Sequence, residues 1–252
     1  MLISLFIHII PINKVYLFVN NFSKITLKIS GSGINNVFSS QNSFKSIYYP
    51  NQININGKIQ DIINCFYNFT ETDNTVELIW NDNIDNIEYM FSGCSSINEI
   101  DFTCFDASQI NSTFNLFKDC FSLTSINFSS VNISQVTNMK QMFYNCFALS
   151  NLDLSGLDTS KVTSMDSMFY TCYSLKNLNL SCFNTSMVKS MKKMFKDCEA
   201  LNSLNFSNFD TSQVINLESM FDGCTSLSSL VISNFNTSNA ITMAQMFYRC
   251  NH

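Results

Sequence analysis

Charge and histidine are what this chain has least of. Of its 252 residues only 13% are Asp, Glu, Lys or Arg, and the formal net charge is −5. The fourteen Lys and Arg are scattered and form no basic stripe, so the electrostatic footprint that nucleic acid requires is missing. The two histidines, His8 and His252, lie at opposite ends of the sequence. No Cys–His or Ser–His pair can be built in the body of the chain. With no C-x-x-C and no internal histidine, zinc is disfavoured as well. Gly31-Ser32-Gly33 lacks the third glycine of a dinucleotide loop, and there is no Walker sequence. The expectation is a protein that is not an enzyme and holds no cofactor and no metal.

What is present is a period. Cys94, Cys120, Cys146, Cys172, Cys198, Cys224 and Cys250 follow one another at intervals of 26 residues, and a Phe precedes each by three positions, from Phe91 to Phe247. A fixed period of this length is the signature of a repeat array, in which one unit cannot bury its apolar face alone. Within a unit, Leu175, Leu178 and Leu180 form an L-x-x-L-x-L run that reads as a short strand. Val188, Met191, Met194, Phe195 and Cys198 are then spaced by three or four, which reads as one face of a short helix. Asp158-Thr159-Ser160 and Asn184-Thr185-Ser186 sit where an N-cap would be. The fold expected from this wording is an α/β solenoid, a leucine-rich-repeat-like right-handed stack with a parallel sheet on one face and short helices on the other.

The cysteines are expected to be a buried structural ladder. Cys104 and Cys182 share a phase but lie three units apart, roughly 15 Å at about 4.8 Å per stacked strand. That is beyond the reach of a disulfide, about 7 Å between Cα atoms. Free cysteine is a common small core residue, so the seven periodic cysteines read as core.

Three regions follow. Residues 1–20 are strongly apolar and read as a signal or signal-anchor segment, with a buried cap strand or a mis-set start as the alternatives. Residues 21–75 lack the period and read as a flanking, capping segment, in which Ile25, Leu27 and Ile29 alternate as a strand. Residues 76–252 are the array, entered at Val76–Trp80, which holds the strand phase one period before Phe102. It stops after a helix position with no closing strand, as a truncated array would, and its exposed apolar end is a candidate surface for self-association.

The unit L-x-x-L-x-L-S-x-F-[DN]-T-S-x-V-x-x-M-x-x-M-F-x-x-C resembles the 26-residue leucine-rich repeats of BspA-type surface proteins. Related units occur in Mycoplasma-type surface lipoproteins and in surface proteins of protists. The resemblance implies a cell-surface or secreted protein whose repeats bind a protein or a cell-surface or matrix ligand, and it carries no catalytic residue with it. No lipobox-type Leu-x-x-Cys opens the chain, since Cys65 is its first cysteine.

The candidate binding surface is the exposed side of the strands: Asp101, Asn127, Asp153, Asn179 and Asn205 in one row, with Asn151 and Asn177 beside it. The face has no Trp, Tyr or Arg of the kind that dominates binding energy, so a hydrated surface of stacked amides, and with it a purely structural spacer, is the competing reading. A carboxylate pair of Asp101 and Asp153 is set aside, because Asn127 separates them by two units. Nine N-x-[ST] sequons, among them Asn127, Asn179 and Asn205, are mostly by-products of the repeat wording.

Overall fold

The computed structural model describes residues 23–250, so the apolar segment 1–20 and both histidines lie outside it. The flanking segment supplies β1 (Ser23–Ser30), β2 (Gly33–Asn36), β3 (Gln52–Ile55), β4 (Lys58–Ile59), β5 (Phe66–Phe69) and β6 (Asp73–Trp80). The periodic units follow with β7 (Ile97–Cys104), β8 (Ser125–Asn127), β9 (Asn151–Leu152), β10 (Asn177–Leu178), β11 (Ser203–Asn205) and β12 (Ser229–Val231). One six-stranded sheet has the order β4-β3-β6-β1-β7-β8, and three two-stranded sheets pair β9 with β10, β11 with β12, and β2 with β5.

The α/β solenoid expectation is overturned. Among the described residues there is no α-helix, the strands β8 to β12 are only two or three residues long, and the largest sheet mixes antiparallel and parallel pairs. β1 alternates buried Ile25, Leu27 and Ile29 with outward Lys24, Thr26 and Lys28, as its period-2 pattern requires. It runs antiparallel to both β6 and β7 and lies between them. The strand at 73–80 is therefore not the parallel predecessor of β7 that its phase suggested. Its buried Trp80 is tied down by an indole N–H donated to the Tyr48 carbonyl at 2.8 Å.

The segments read as helices are ribbons of overlapping turns. In the unit ending at Cys198, the N–H groups of Met194, Lys196 and Cys198 donate to the carbonyls three residues back, of Met191, Lys193 and Phe195. The intervening N–H groups leave the segment altogether. Those of Met191, Lys193, Phe195 and Asp197 donate to Asn216, Glu218, Met220 and Asp222 of the next unit at 2.7–3.0 Å. A helix of nine residues would hold its bonds internally and be marginal on its own. The ribbon instead gives half its donors to a neighbour. Overlapping turns bury the same Met, Phe and Cys positions as a helix face would, so the side-chain spacing did not distinguish the two. The Asp-Thr-Ser triplets cap no helix. Asp158 accepts the Ser160 N–H at 2.9 Å to close a turn, while buried Thr159 donates its hydroxyl to the Asn184 carbonyl at 3.0 Å.

The ribbon geometry demands left-handed backbone at two positions per unit. These are Tyr89 and Gly93, Asn115 and Asp119, Gln141 and Asn145, Ser167 and Thr171, Lys193 and Asp197, Ser219 and Gly223, and Gln245 and Arg249. Only two of them are glycine. An L-residue held there costs roughly 1–2 kcal/mol, and Thr171 at φ 54° is the least suited because it is β-branched. The bonds between units and the apolar interior offset this. The phenylalanines stack with near-parallel rings, Phe143 to Phe169 at 5.5 Å and Phe169 to Phe195 at 5.3 Å.

Two stability measurements check this account. Phe169 is fully buried between two rings, so Phe169→Ala should cost about 3–5 kcal/mol in urea denaturation by leaving a cavity. Wild-type stability would show that the ring column is not core. Gln141 sits at φ 55° and makes no side-chain bond that a glycine would lose. Gln141→Gly should therefore raise stability by about 0.5–1 kcal/mol after the added entropy of the unfolded chain is counted. A loss of stability would mean that the left-handed ribbon is misassigned.

Candidate functional site

Each unit has corners that its polar residues close. Where the strand ends, the Asp153, Asn179 and Asn205 side chains accept the N–H of Ser155, Ser181 and Ser207 at 2.9–3.0 Å. Asp101 and Asn127 do the same for Thr103 and Ser129. The row expected to bind a ligand is thus used first as a row of turn formers, the role for which short Asx side chains are favoured. The Asp153 carboxyl is held below the usual carboxylate range by the Ser155 backbone N–H, with the Ser155 side chain adding to it. Asn151 and Asn177 differ. They face outward on the paired strands β9 and β10, opposite one another, and hold no turn.

The structure places five of the seven expected site residues in two shallow depressions. Asn177, Asn179 and Asn205 come together with Ser203, Ser229 and Val231 around a trough of about 460 Å³ over β10, β11 and β12. Asp101 and Asn127 line a smaller one, about 310 Å³, with Thr26, Lys28, Glu99 and Ser125. Asn151 and Asp153 line neither. The first trough carries no ionisable side chain, whereas the second is charged because β1 brings Lys28 beside Glu99 and Asp101. The sequence offered no hint of this division: the alternation of β1 was legible, but its insertion between β6 and β7 was not.

The seven ladder cysteines carry no disulfide, and all except half-buried Cys250 are buried. From Cys120 onward each thiol donates to the carbonyl of the Phe 29 residues earlier, as Cys172 does to Phe143 at 3.2 Å. Burial pushes the Cys172 and Cys224 thiols up to about 12. A thiol so placed is neither a nucleophile nor a thiolate ligand at neutral pH. Among the described residues no group of three or more His, Cys, Asp or Glu side chains is placed to hold a metal ion.

A charged cluster that sequence reasoning missed lies on the ribbon side. Buried Asp222 pairs with Lys196 and, at 2.8 Å, with Arg249, which also reaches Asp197 at 2.8 Å. Arg249 reaches back past the intervening unit because Gly223 leaves the way clear; a Cβ there would run into the Asp197 carboxylate. The 26-residue step from Lys196 to Asp222 was the available signal. Every charge in this cluster has a partner within it, which makes it a clasp between units rather than a waiting site.

No curated protein and no solved structure matches the chain. The model of one family, described as Mycoplasma protein of unknown function, DUF285, matches residues 32–152 and again 147–252, so that its two matches meet within the array. Together they span most of the sequence, and the chain belongs to the DUF285 family.

Proposed function

We propose that this chain is a surface or secreted protein-interaction module, an adhesion-type binder rather than an enzyme, that engages a protein or matrix ligand through the strand face over β10–β12. One observation carries the reading. The trough of about 460 Å³ is an exposed, uncharged surface in which Asn177 and Ser203 present side chains that close no turn. The likeness of the repeat wording to BspA-type surface proteins supports the same class. A shallow polar trough suits an extended macromolecular ligand better than a small molecule, which favours an enclosed, mostly apolar pocket.

A spacer role has its own support. The Asx side chains at 101, 127, 153, 179 and 205 are all engaged in turns, and a row so engaged has less to offer a ligand. The two readings separate at residues outside that row. The double variant Asn177→Arg, Ser203→Arg should leave the fold intact and weaken attachment to immobilised extracellular-matrix proteins by roughly tenfold or more. Attachment equal to that of the unaltered protein, or no attachment by either, would favour the spacer.

A further inference from the structure

The corner between the strand and the turn ribbon alternates between two residue types along the array. Its row reads Asp106, Asn132, Asp158, Asn184, Asp210 and Asn236, and a serine stands two residues after each of them. All six side chains do the same work: an oxygen of each accepts the N–H of that serine at 2.9–3.1 Å. The turn needs one oxygen and is indifferent to whether the atom beside it is a second oxygen or an amide nitrogen. At Asn132, Asn184 and Asn236 the Nδ2 group makes no hydrogen bond among the described residues, and all three side chains are exposed. The backbone beneath is fixed. Buried Thr159 takes the Asn184 N–H at 2.8 Å and donates its hydroxyl to the Asn184 carbonyl, and Thr211 holds Asn236 in the same way.

We propose that Asn132, Asn184 and Asn236 are N-glycan acceptors, which the intervening Asp residues keep two units apart. Each opens a sequon without proline: Asn132-Ile133-Ser134, Asn184-Thr185-Ser186 and Asn236-Thr237-Ser238. The repeat wording alone does not account for them, since Asp106, Asp158 and Asp210 close the same turn without an amide. The bond that shapes the turn lies within one tripeptide, so it forms without the rest of the array and leaves Nδ2 free. In the transfer, Nδ2 bonds to the anomeric carbon of a polyprenyl-diphosphate-linked oligosaccharide. The bond from that carbon to the diphosphate breaks, the diphosphate leaves with the electron pair, and Nδ2 gives up one of its two protons. Oδ1 is untouched, so the modified residue keeps its place in the fold. Two units are roughly 10 Å at about 4.8 Å per unit, which leaves room for a sugar chain at each acceptor. The other sequons of the array lack these conditions. Asn127 spends its Nδ2 on the Thr103 hydroxyl at 3.0 Å, and Asn179 and Asn205 lie one unit apart on the trough. Asn111 closes no such turn, because the Thr113 N–H goes to the Asn138 carbonyl. Modification at this corner rests on the surface or secreted placement proposed above, but not on the trough.

The test is to send the full chain through the secretory pathway of a glycosylating host behind a cleavable signal sequence. Peptide mass spectrometry should then find glycan on Asn132, Asn184 and Asn236. Absence of glycan from any of them would overturn the assignment, whatever the attachment assay of the strand face shows. The triple variant Asn132→Asp, Asn184→Asp, Asn236→Asp should lose these glycans. Made in a bacterial host that adds none, it should unfold at the same urea midpoint as the unaltered chain. A lower midpoint would overturn the proposal by showing that the amides serve the fold. Asp158→Asn closes the spacing to one unit. It should cut the secreted yield by roughly twofold or more against Asp158→Asn, Ser160→Ala, which has the same amide but no sequon. Equal yields with every acceptor in the row occupied would overturn the spacing role of the Asp residues.

Discussion

The hydrogen bond from one turn ribbon to the next is the constraint on which the rest of the array depends. It forces the left-handed backbone at two positions per unit, because only then do alternate N–H groups point out of the segment. It also sets the distance between units, and the Phe rings stack at 5.3–5.9 Å along most of the column in consequence. The cysteine position follows too. The side chain there must be small enough to sit under a ring and must offer a weak donor to a buried Phe carbonyl, and a thiol does both. One unit alone would carry the backbone strain with neither the outward bonds nor the stacking to offset it, which is why the period has to be repeated.

The sequence exposed the period and the identity of the buried positions, since both rest on side-chain chemistry. Met191, Met194, Phe195 and Cys198 are all buried, as a periodic apolar face should be. It did not expose the backbone that carries them. A helix and a ribbon of overlapping turns advance by about three residues per contact, so they leave the same apolar spacing. The distinguishing sign was the residue type at the left-handed positions, and here it was mixed. Gly93, Gly223, Asn115, Asp119, Asn145 and Asp197 are of the types that tolerate a positive φ, whereas Lys193, Gln141 and Thr171 are not turn-forming residues. Tertiary bonding overrode local preference at those positions.

The candidate surface was partly legible for a related reason. Outward Asn and Asp in a strand phase are visible in a sequence, but whether the side chain reaches into solvent or folds back on its own backbone is not. β9 and β10 stop at Leu152 and Leu178, one residue before Asp153 and Asn179, and those residues become corners. Asn151 and Asn177, two residues earlier, remain on the strand. A shift of two positions separates a residue with a structural duty from one that a ligand could reach.

The mixed six-stranded sheet follows from the same asymmetry between strands and ribbons. Alternate carbonyls of the first ribbon face the cap, so what covers them must bring donors, and Ser39 brings an N–H to the Met90 carbonyl. A β-strand edge carries both donors and acceptors, so it has no such preference for direction. The cap can therefore run antiparallel against β7 while the following unit runs parallel on its other side, and β1 and β8 do so. The segment at 23–80 does not imitate a repeat unit because it need not. It has only to pair with the β7 edge, supply a donor to the first ribbon and bury the first ring, Phe91, which is fully enclosed.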